Sequence, residues 1–199
     1  MLKLFHAPES RSSRIIWLLE ELGAPYVIEY VNISRMNGSG ASDPANPHPD
    51  KKVPALLHGG SLITESVAVV LYLTDVFPDA RIGPRVGEPQ RGAYLTWLAY
   101  YAGVIEPVLT LQFLKMADHP GLAHVFRGRV EMDARISSAL ANSEFILESG
   151  FSAVDVIFGS LGHFFRSTLP ANERVDSYLE ACTARPAFAR AMARDKKPA

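Results

Sequence analysis

The chain has 199 residues, of which 48% are hydrophobic, enough to bury the core of one large or two small domains. Its 20 basic and 21 acidic side chains give a net charge of -1, which argues against a nucleic-acid partner or an anionic membrane surface. With a single cysteine, Cys182, the chain can form neither an internal disulfide nor a C-x-x-C redox motif, and a cytoplasmic location is expected. The N-terminus does not resemble a signal peptide, and no apolar run reaches membrane-spanning length.

The first residues of the chain predict two strands joined by a helix. Apolar residues at positions 15, 16, 18, 19 and 22 share one face of that helix, and Gly23 ends it. Because a helix connects the two strands, they should be parallel. Residues 34–50 are rich in Asn, Gly, Ser and Pro and predict a long loop. The elements are a strand at Met1–Phe5, a polar loop at His6–Ser13, the helix at Arg14–Leu22 and a strand at Tyr26–Asn32.

A tight β-hairpin follows the loop. Two apolar runs, Val53–Leu57 and Leu62–Thr64, flank a Gly-Gly pair, which is typical of a two-residue hairpin turn. Pro54 opens the first of these strands, where a missing N–H is tolerated. A turn there can hold the Val53-Pro54 bond cis, but only about 5% of X-Pro bonds are cis, so we expect a trans bond.

An apolar helix is predicted directly after the hairpin. Glu65-Ser66 precedes the apolar stretch Val67–Phe77, and Pro78 follows it. Ser is a preferred N-cap, so Ser66 is expected to cap this helix. The start of a helix that follows a strand presents unpaired N–H groups and favours a carboxylate or phosphate ligand.

The succession of V-P-A-L, a hairpin, T-E-S and an apolar helix resembles the glutathione-binding half of the glutathione transferase family. The resemblance implies a thioredoxin-like N-terminal domain, β-α-β-α-β-β-α in order, followed by an all-helical bundle domain. In that family the Val before a cis-proline binds the cysteinyl backbone of glutathione, and a Glu-Ser pair holds the γ-glutamyl end. The corresponding residues here are Val53, Pro54, Glu65 and Ser66.

Two readings of this region stay open at the level of sequence. Lys52 is placed to reach the glycyl carboxylate of glutathione, although Lys51 is an alternative and solvent exposure of both lysines is another. Glu65-Ser66 can also be explained as a helix cap alone, and only the preceding hairpin favours a ligand site.

The loop after the first strand is where this family activates the glutathione thiol, with a Tyr, Ser or Cys. The tyrosine position falls on Phe5, which has no hydroxyl, and no cysteine lies nearby. The string S-R-S-S-R-I-I-W-L-L-E-E-L-G resembles serine-type members from bacteria and fungi, in which the activating Ser commonly lies four residues before an Arg. The resemblance therefore pairs Ser10 with Arg14 and implies that Ser10 is the catalytic residue. Ser12 and Ser13 stay alternatives, although helix capping is the simpler explanation for them.

The rest of the chain predicts helices. Residues 79–88, with several Gly and Pro, form a linker between an N-terminal domain, 1–78, and an all-helical domain, 89–199. Ser152 and Asp155 have the spacing of a capping box, which this family carries at a buried helix, so we assign them a structural role. The predicted helices are Gln90–Met116, kinked by Pro107, then Leu122–Glu148, one that begins after Ser152, Val175–Thr183 and Phe188–Arg194.

Taken together, the resemblance implies a cytoplasmic detoxification enzyme that binds glutathione as co-substrate and needs no metal. Its second substrate would be a small hydrophobic electrophile or a peroxide, in a pocket to which we assign His6, Tyr100, Tyr101 and Val104, although core packing is the stronger explanation for any one of them. A homodimer is expected. The alternative is a non-catalytic protein of the same fold that binds glutathione or a partner.

Overall fold

A computed structural model describes residues 1–117, 119–125 and 127–197. These residues form four β-strands and eight α-helices. The strands are β1 (Leu2–His6), β2 (Tyr26–Tyr30), β3 (Ala55–His58) and β4 (Ser61–Thr64). The helices are α1 (Ser13–Leu22), α2 (Ser66–Val76), α3 (Arg91–Tyr100), α4 (Glu106–Phe113), α5 (Arg129–Leu140), α6 (Ala153–Phe164), α7 (Glu173–Thr183) and α8 (Pro186–Asp195).

The chain divides into two compact units. The first contains Met1–Ile82 together with the chain from Ala184 onward, and the second is Gly83–Thr183. The division falls inside the predicted linker, 79–88. The C-terminal segment with α8 groups with the first unit, however, whereas the sequence suggested that it belongs to the helical domain, 89–199.

Packing against α1 explains the position of α8. The Phe188 ring meets the Trp17 ring edge to face, with 4.9 Å between centroids. Arg185 donates two hydrogen bonds to the Glu21 carboxylate, at 2.7 and 2.8 Å. The buried ring contact stabilises the packing of α8 on α1, and the bidentate ion pair beside it fixes the orientation of α8.

The sheet of the first unit has the order β2-β1-β3-β4. The strand β1 is parallel to β2, as predicted for strands joined by a helix, and antiparallel to β3. β3 and β4 form the predicted hairpin, with Gly59 and Gly60 at φ values of 56° and 86°. Two successive positive φ values are what a type I′ turn requires, which explains the Gly-Gly pair.

The segment between β2 and β3 lacks the helix that the resemblance implied. The thioredoxin-like order placed a helix there, but residues 31–54 form only turns and bends, in agreement with the predicted loop at 34–50. Three prolines, at positions 44, 47 and 49, remove helical N–H donors and disfavour helical conformations at the residues before them. The composition of this chain therefore prevents the helix that the family pattern implied.

In the second unit, a π-helical turn just before Pro107 interrupts the predicted long helix. A π-helical turn at Tyr101–Ile105 joins α3 to α4. Pro107 has no N–H to donate to the carbonyl of Gly103, and the N–H of Glu106 bonds five residues back, to Tyr101. The helical run also ends at Phe113, short of the predicted Met116.

The predicted helix Leu122–Glu148 is wrong in length, and Phe126 within it lies outside the described residues. A 3₁₀ turn covers Pro120–His124, and α5 extends only over Arg129–Leu140. Gly128 has an extended backbone and its N–H donates to Glu131 at 3.1 Å, so the helix starts there.

The predicted capping box at the start of α6 is confirmed. Ser152 Oγ accepts the Val154 N–H at 3.2 Å, and the Asp155 carboxylate accepts the Ser152 N–H at 2.8 Å. Ten of the twelve residues of α6 are buried, so this helix forms the core of the second unit. Cys182 is buried as well, as predicted. No helix within the described residues is long and apolar enough to cross a membrane.

Candidate functional site

Three strand ends meet at one edge of the sheet in the first unit. Phe5 pairs with Ala55, and Ala55 pairs with Thr64. The loop after β1, the turn before β3 and the start of α2 after β4 therefore begin side by side. Neighbouring strands lie about 4.8 Å apart, so the first and last of these strand ends are about 10 Å from each other. These three segments carry Ser10, Val53-Pro54 and Glu65-Ser66.

The Val53-Pro54 peptide bond is cis, so the expectation of a trans bond was wrong. The preference for trans at an X-Pro bond is small, and the general frequency does not decide a single buried turn. Both residues are buried, and Val53 packs in a cluster with Phe5 and Ala55. The turn is thereby fixed to the end of β1.

Asn46 separates the roles of the two lysines and was missed at the sequence level. Lys51 Nζ donates to the Asn46 carbonyl at 2.7 Å, whereas the Lys52 side chain is exposed. Asn46 is fully buried, and its Nδ2 donates to the Lys52 carbonyl at 2.9 Å. Its Oδ1 accepts the His48 N–H at 3.0 Å, a local turn that the Asn-Pro-His-Pro string signals. Lys52 is the lysine whose side chain extends from this turn.

The start of α2 differs from the prediction by one residue. Glu65 is the N-cap residue, and Ser66 is the first helical residue, so Ser66 is not the cap. Glu65 forms no side-chain capping bond, and no described residue is hydrogen bonded to the Ser66 hydroxyl. Glu65 also has a φ of 65° and a ψ of 122°, a strained backbone that non-glycine residues adopt mainly at functional sites. Helix capping alone therefore does not account for the Glu65-Ser66 pair.

Of the three serines in the loop after β1, only Ser10 reaches the surface. Ser12 and Ser13 are fully buried, and Ser10 is half-buried. Ser10 Oγ donates to the Ala7 carbonyl at 2.7 Å and accepts the Ser12 N–H at 3.2 Å. Ser12 occupies the N-cap position of α1 without capping it, and Ser13 Oγ accepts the Ser10 N–H at 3.1 Å. The hydroxyls of Ser12 and Ser13 thus organise the loop instead of capping the helix.

His6 is fully buried beneath this loop. Its Nδ1 lies 2.7 Å from Ser12 Oγ, and its Nε2 lies 2.9 Å from the carbonyl oxygen of Asp195. Burial lowers the pKa of His6, and the nearby Asp195 opposes that effect. A fully buried side chain does not line an open pocket, so this placement does not fit the role in the second-substrate pocket that we assigned to His6.

Known proteins with similar sequences are glutathione S-transferases. Residues 1–75 match the model of the glutathione S-transferase N-terminal domain. Glutathione S-transferase GstA of Escherichia coli O157:H7 is 25% identical over 191 residues, which cover 93% of this chain and 94% of that protein. The chain is thus similar to glutathione S-transferases, over residues 1–75 by the domain model and over nearly its whole length by this relative.

Solved glutathione S-transferase structures share the fold along nearly the whole chain. The glutathione transferase of Methylococcus capsulatus str. Bath is 25% identical, with a TM-score of 0.73 and 98% of each chain covered. A sphingomonad glutathione S-transferase complexed with glutathione is 22% identical, with a TM-score of 0.75, and the match covers 97% of this chain and 98% of that one. The thioredoxin-like and helical parts that we predicted are those of the glutathione S-transferase fold.

The three remaining pocket residues that we predicted lie in the second unit of the chain. Tyr101 is a core residue: it is 2% exposed, and its hydroxyl donates to Glu106 at 2.8 Å. Tyr100 is partly exposed, with the Arg135 guanidinium 3.9 Å from its ring centroid. Val104 is partly exposed as well. Tyr100 and Val104 can meet a bound molecule, and their contact with the second substrate stays a prediction.

Two residues far along the chain from Ser10 support its loop. Asp195 Oδ2 accepts the Glu9 N–H at 3.0 Å, and Arg35 Nη2 donates to the Pro8 carbonyl at 2.7 Å. Sequence reasoning missed both. Asp195 did carry a signal, because an acidic residue at the C-terminus of a helix opposes the helix dipole and needs another reason to be there.

Proposed function

We propose that the protein is a glutathione transferase in which Ser10 stabilises the glutathione thiolate for attack on a small hydrophobic electrophile or a peroxide. The observation that supports the proposal is the shared sheet edge, where the loop that carries the one accessible serine begins beside the Val53-Pro54 turn and the Glu65-Ser66 helix start. A detoxification role in the cytoplasm goes with this proposal.

The dimensions of the edge suit glutathione. An extended tripeptide spans about 10 Å at about 3.3 to 3.6 Å per residue, and the three strand ends cover a similar distance. The Val53 backbone would bond the cysteinyl residue. The Glu65 carboxylate would bind the γ-glutamyl ammonium, while Ser66 and the N–H groups at the start of α2 would bind its carboxylate. Lys52 would reach the glycyl carboxylate.

Ser10 supplies a stabilisation of the required size. A cysteine thiol with a pKa of about 8.5 is only about 3% ionised at pH 7. Lowering that pKa by about two units takes about 2.7 kcal/mol of preferential thiolate stabilisation. A hydroxyl that donates to a charged acceptor, helped by the start of α1, is worth about that much. A thiolate is also a stronger acceptor than the Ala7 carbonyl that Ser10 faces without ligand.

The decisive experiment replaces Ser10 by Ala. We expect glutathione affinity to stay nearly unchanged, the pKa of the bound thiol to rise and turnover at neutral pH to fall, with partial recovery at alkaline pH. The ultraviolet absorbance of the bound thiolate, titrated with pH, measures the pKa directly. Identical titrations of wild type and Ser10→Ala contradict this role, and binding without conjugation or peroxide reduction by wild type identifies the non-catalytic alternative.

We also propose a homodimer, because closed twofold dimers are the commonest assembly and exposed apolar side chains, among them Leu95 and Val130, remain on the helices of the second unit. Sedimentation at micromolar concentration should give twice the chain mass of 21.8 kDa. A single species of 21.8 kDa contradicts the dimer.

A further inference from the structure

The buried His6 ring has one nitrogen that can take up a proton. Its Nε2 lies 2.9 Å from the Asp195 carbonyl oxygen, which can only accept, so Nε2 carries the ring proton. Burial lowers the pKa of His6, so the ring is neutral at pH 7. Nδ1 is then an unprotonated acceptor, and the Ser12 hydroxyl, 2.7 Å away, donates to it.

Ser12 connects this base to the proposed thiol site. Ser12 Oγ lies 2.8 Å from Ser10 Oγ and accepts the Ala7 N–H at 3.2 Å. His6 and Ser12 are fully buried, whereas Ser10 reaches the surface of the loop. Once the Ser10 proton turns from the Ala7 carbonyl toward Ser12 Oγ, the two hydroxyls form a continuous hydrogen-bonded path from the place proposed for the thiol to a buried imidazole.

Asp195 provides the charge that a protonated His6 needs. Its Oδ2 accepts the Glu9 N–H, but its buried Oδ1 accepts no hydrogen bond from any described residue and lies 3.4 Å from His6 Nε2. Two other groups bear on the ring: the Tyr30 ring, 5.5 Å away between centroids, and the positively charged Arg35, which disfavours protonation. The Asp195 carboxylate therefore opposes the cost of burying an imidazolium here, and in the glutathione complex the negative charge of the thiolate adds to its effect.

We propose that Ser10, Ser12 and His6 form a relay that takes up the proton of the glutathione thiol, with Asp195 as counter-ion. The S–H bond breaks as its proton passes to Ser10 Oγ, the Ser10 proton passes to Ser12 Oγ, and the Ser12 proton passes to His6 Nδ1. A thiolate, an imidazolium and two intact hydroxyls result, and Ser10 now donates to the sulfur. His6 acts through the serines without touching the substrate. The relay rests on the proposed role of Ser10 and adds the destination of the proton.

The test measures how many protons are released to the solvent for each glutathione thiolate that forms. Glutathione is mixed with the protein at pH 7 in weak buffer with a pH indicator, while thiolate is followed by its ultraviolet absorbance. Wild type should release far less than one proton per thiolate formed. Ser12→Ala, which cuts the relay but keeps His6, should release about one. In parallel, ¹⁵N NMR should show His6 doubly protonated with glutathione but not with S-methylglutathione, which has no thiol proton.

Further variants separate the possible failures. Asp195→Asn, which keeps an acceptor for Glu9 but removes the charge, should raise proton release toward one per thiolate. His58→Gln is the matched control, because it also removes an imidazole–hydroxyl contact in the first unit, 2.8 Å to Tyr72, and should behave as wild type. One proton released per thiolate in wild type overturns the relay and leaves Ser10 in its role. No thiolate in wild type overturns the proposed function itself.

Discussion

Asp155 in the second unit and Asp195 in the first are both buried, but they lie near opposite ends of their helices and accept different numbers of hydrogen bonds. Asp155, near the start of α6, accepts from the N–H groups of Ile146 and Ser152, from the Ser152 hydroxyl and from the Tyr178 hydroxyl. Asp195, at the end of α8, accepts one N–H and leaves Oδ1 without a donor among the described residues. The helix dipole favours the negative charge of Asp155, near the N-terminus of α6, and disfavours that of Asp195, at the C-terminus of α8. We infer that Asp155 is retained for stability and Asp195 for chemistry.

The largest expected effect tests this inference through stability. Asp155→Ala removes the acceptor of four buried donor groups and should lower the free energy of unfolding by about 4 kcal/mol. Asp195→Ala should cost about 1 kcal/mol or less, because Glu9 is exposed and water can take its N–H. Urea unfolding followed by tryptophan fluorescence measures both, with Trp17 in the first unit and Trp97 in the second. Equal losses in the two variants contradict the comparison.

The second prediction uses pH. Burial raises the pKa of Asp155 to about 6, above the value of about 3.9 for an unfolded chain. The folded state therefore binds this proton more tightly, and the free energy of unfolding should fall by about 3 kcal/mol as pH rises from about 4 to about 6. His6 should have the opposite effect on the free energy of unfolding, because burial lowers its pKa in the folded state. Its contribution to stability is present above the pKa of about 6.5 in the unfolded chain and is lost as pH falls through the folded pKa.

One variant isolates the contribution of Asp155. The difference in unfolding free energy between wild type and Asp155→Asn, measured from pH 4 to pH 7, removes all groups that the two proteins share. Its slope should have the sign of a raised carboxyl pKa. A flat difference means that the four donors offset the burial of Asp155 completely.

Local patterns in the sequence were enough for the strands, for α1 and α2 and for the capping box, since Ser152 and Asp155 interact three residues apart. The site segments were also predictable, because a hairpin and the helix after it are local. The relay was not, since His6 and Asp195 are 189 residues apart in the chain and meet only once α8 packs on α1. For the same reason the sequence could not show that α8 packs on α1 and groups with the first unit.

The smallest expected effects come from two serines at helix starts, which extend the comparison to single hydroxyls. Ser152 caps α6, so Ser152→Ala should cost about 1 kcal/mol of stability. Ser66 does not cap α2, so Ser66→Ala should leave the free energy of unfolding nearly unchanged. Its hydroxyl is instead proposed to bind the γ-glutamyl carboxylate, and losing it should weaken glutathione binding by about 1 to 3 kcal/mol in calorimetry.

Because Ser152→Ala removes a hydroxyl of the same size from the second unit, it is the control for affinity, and Ser66→Ala is the control for stability. Unchanged affinity in the Glu65→Ala, Ser66→Ala double variant would show that the γ-glutamyl end binds elsewhere.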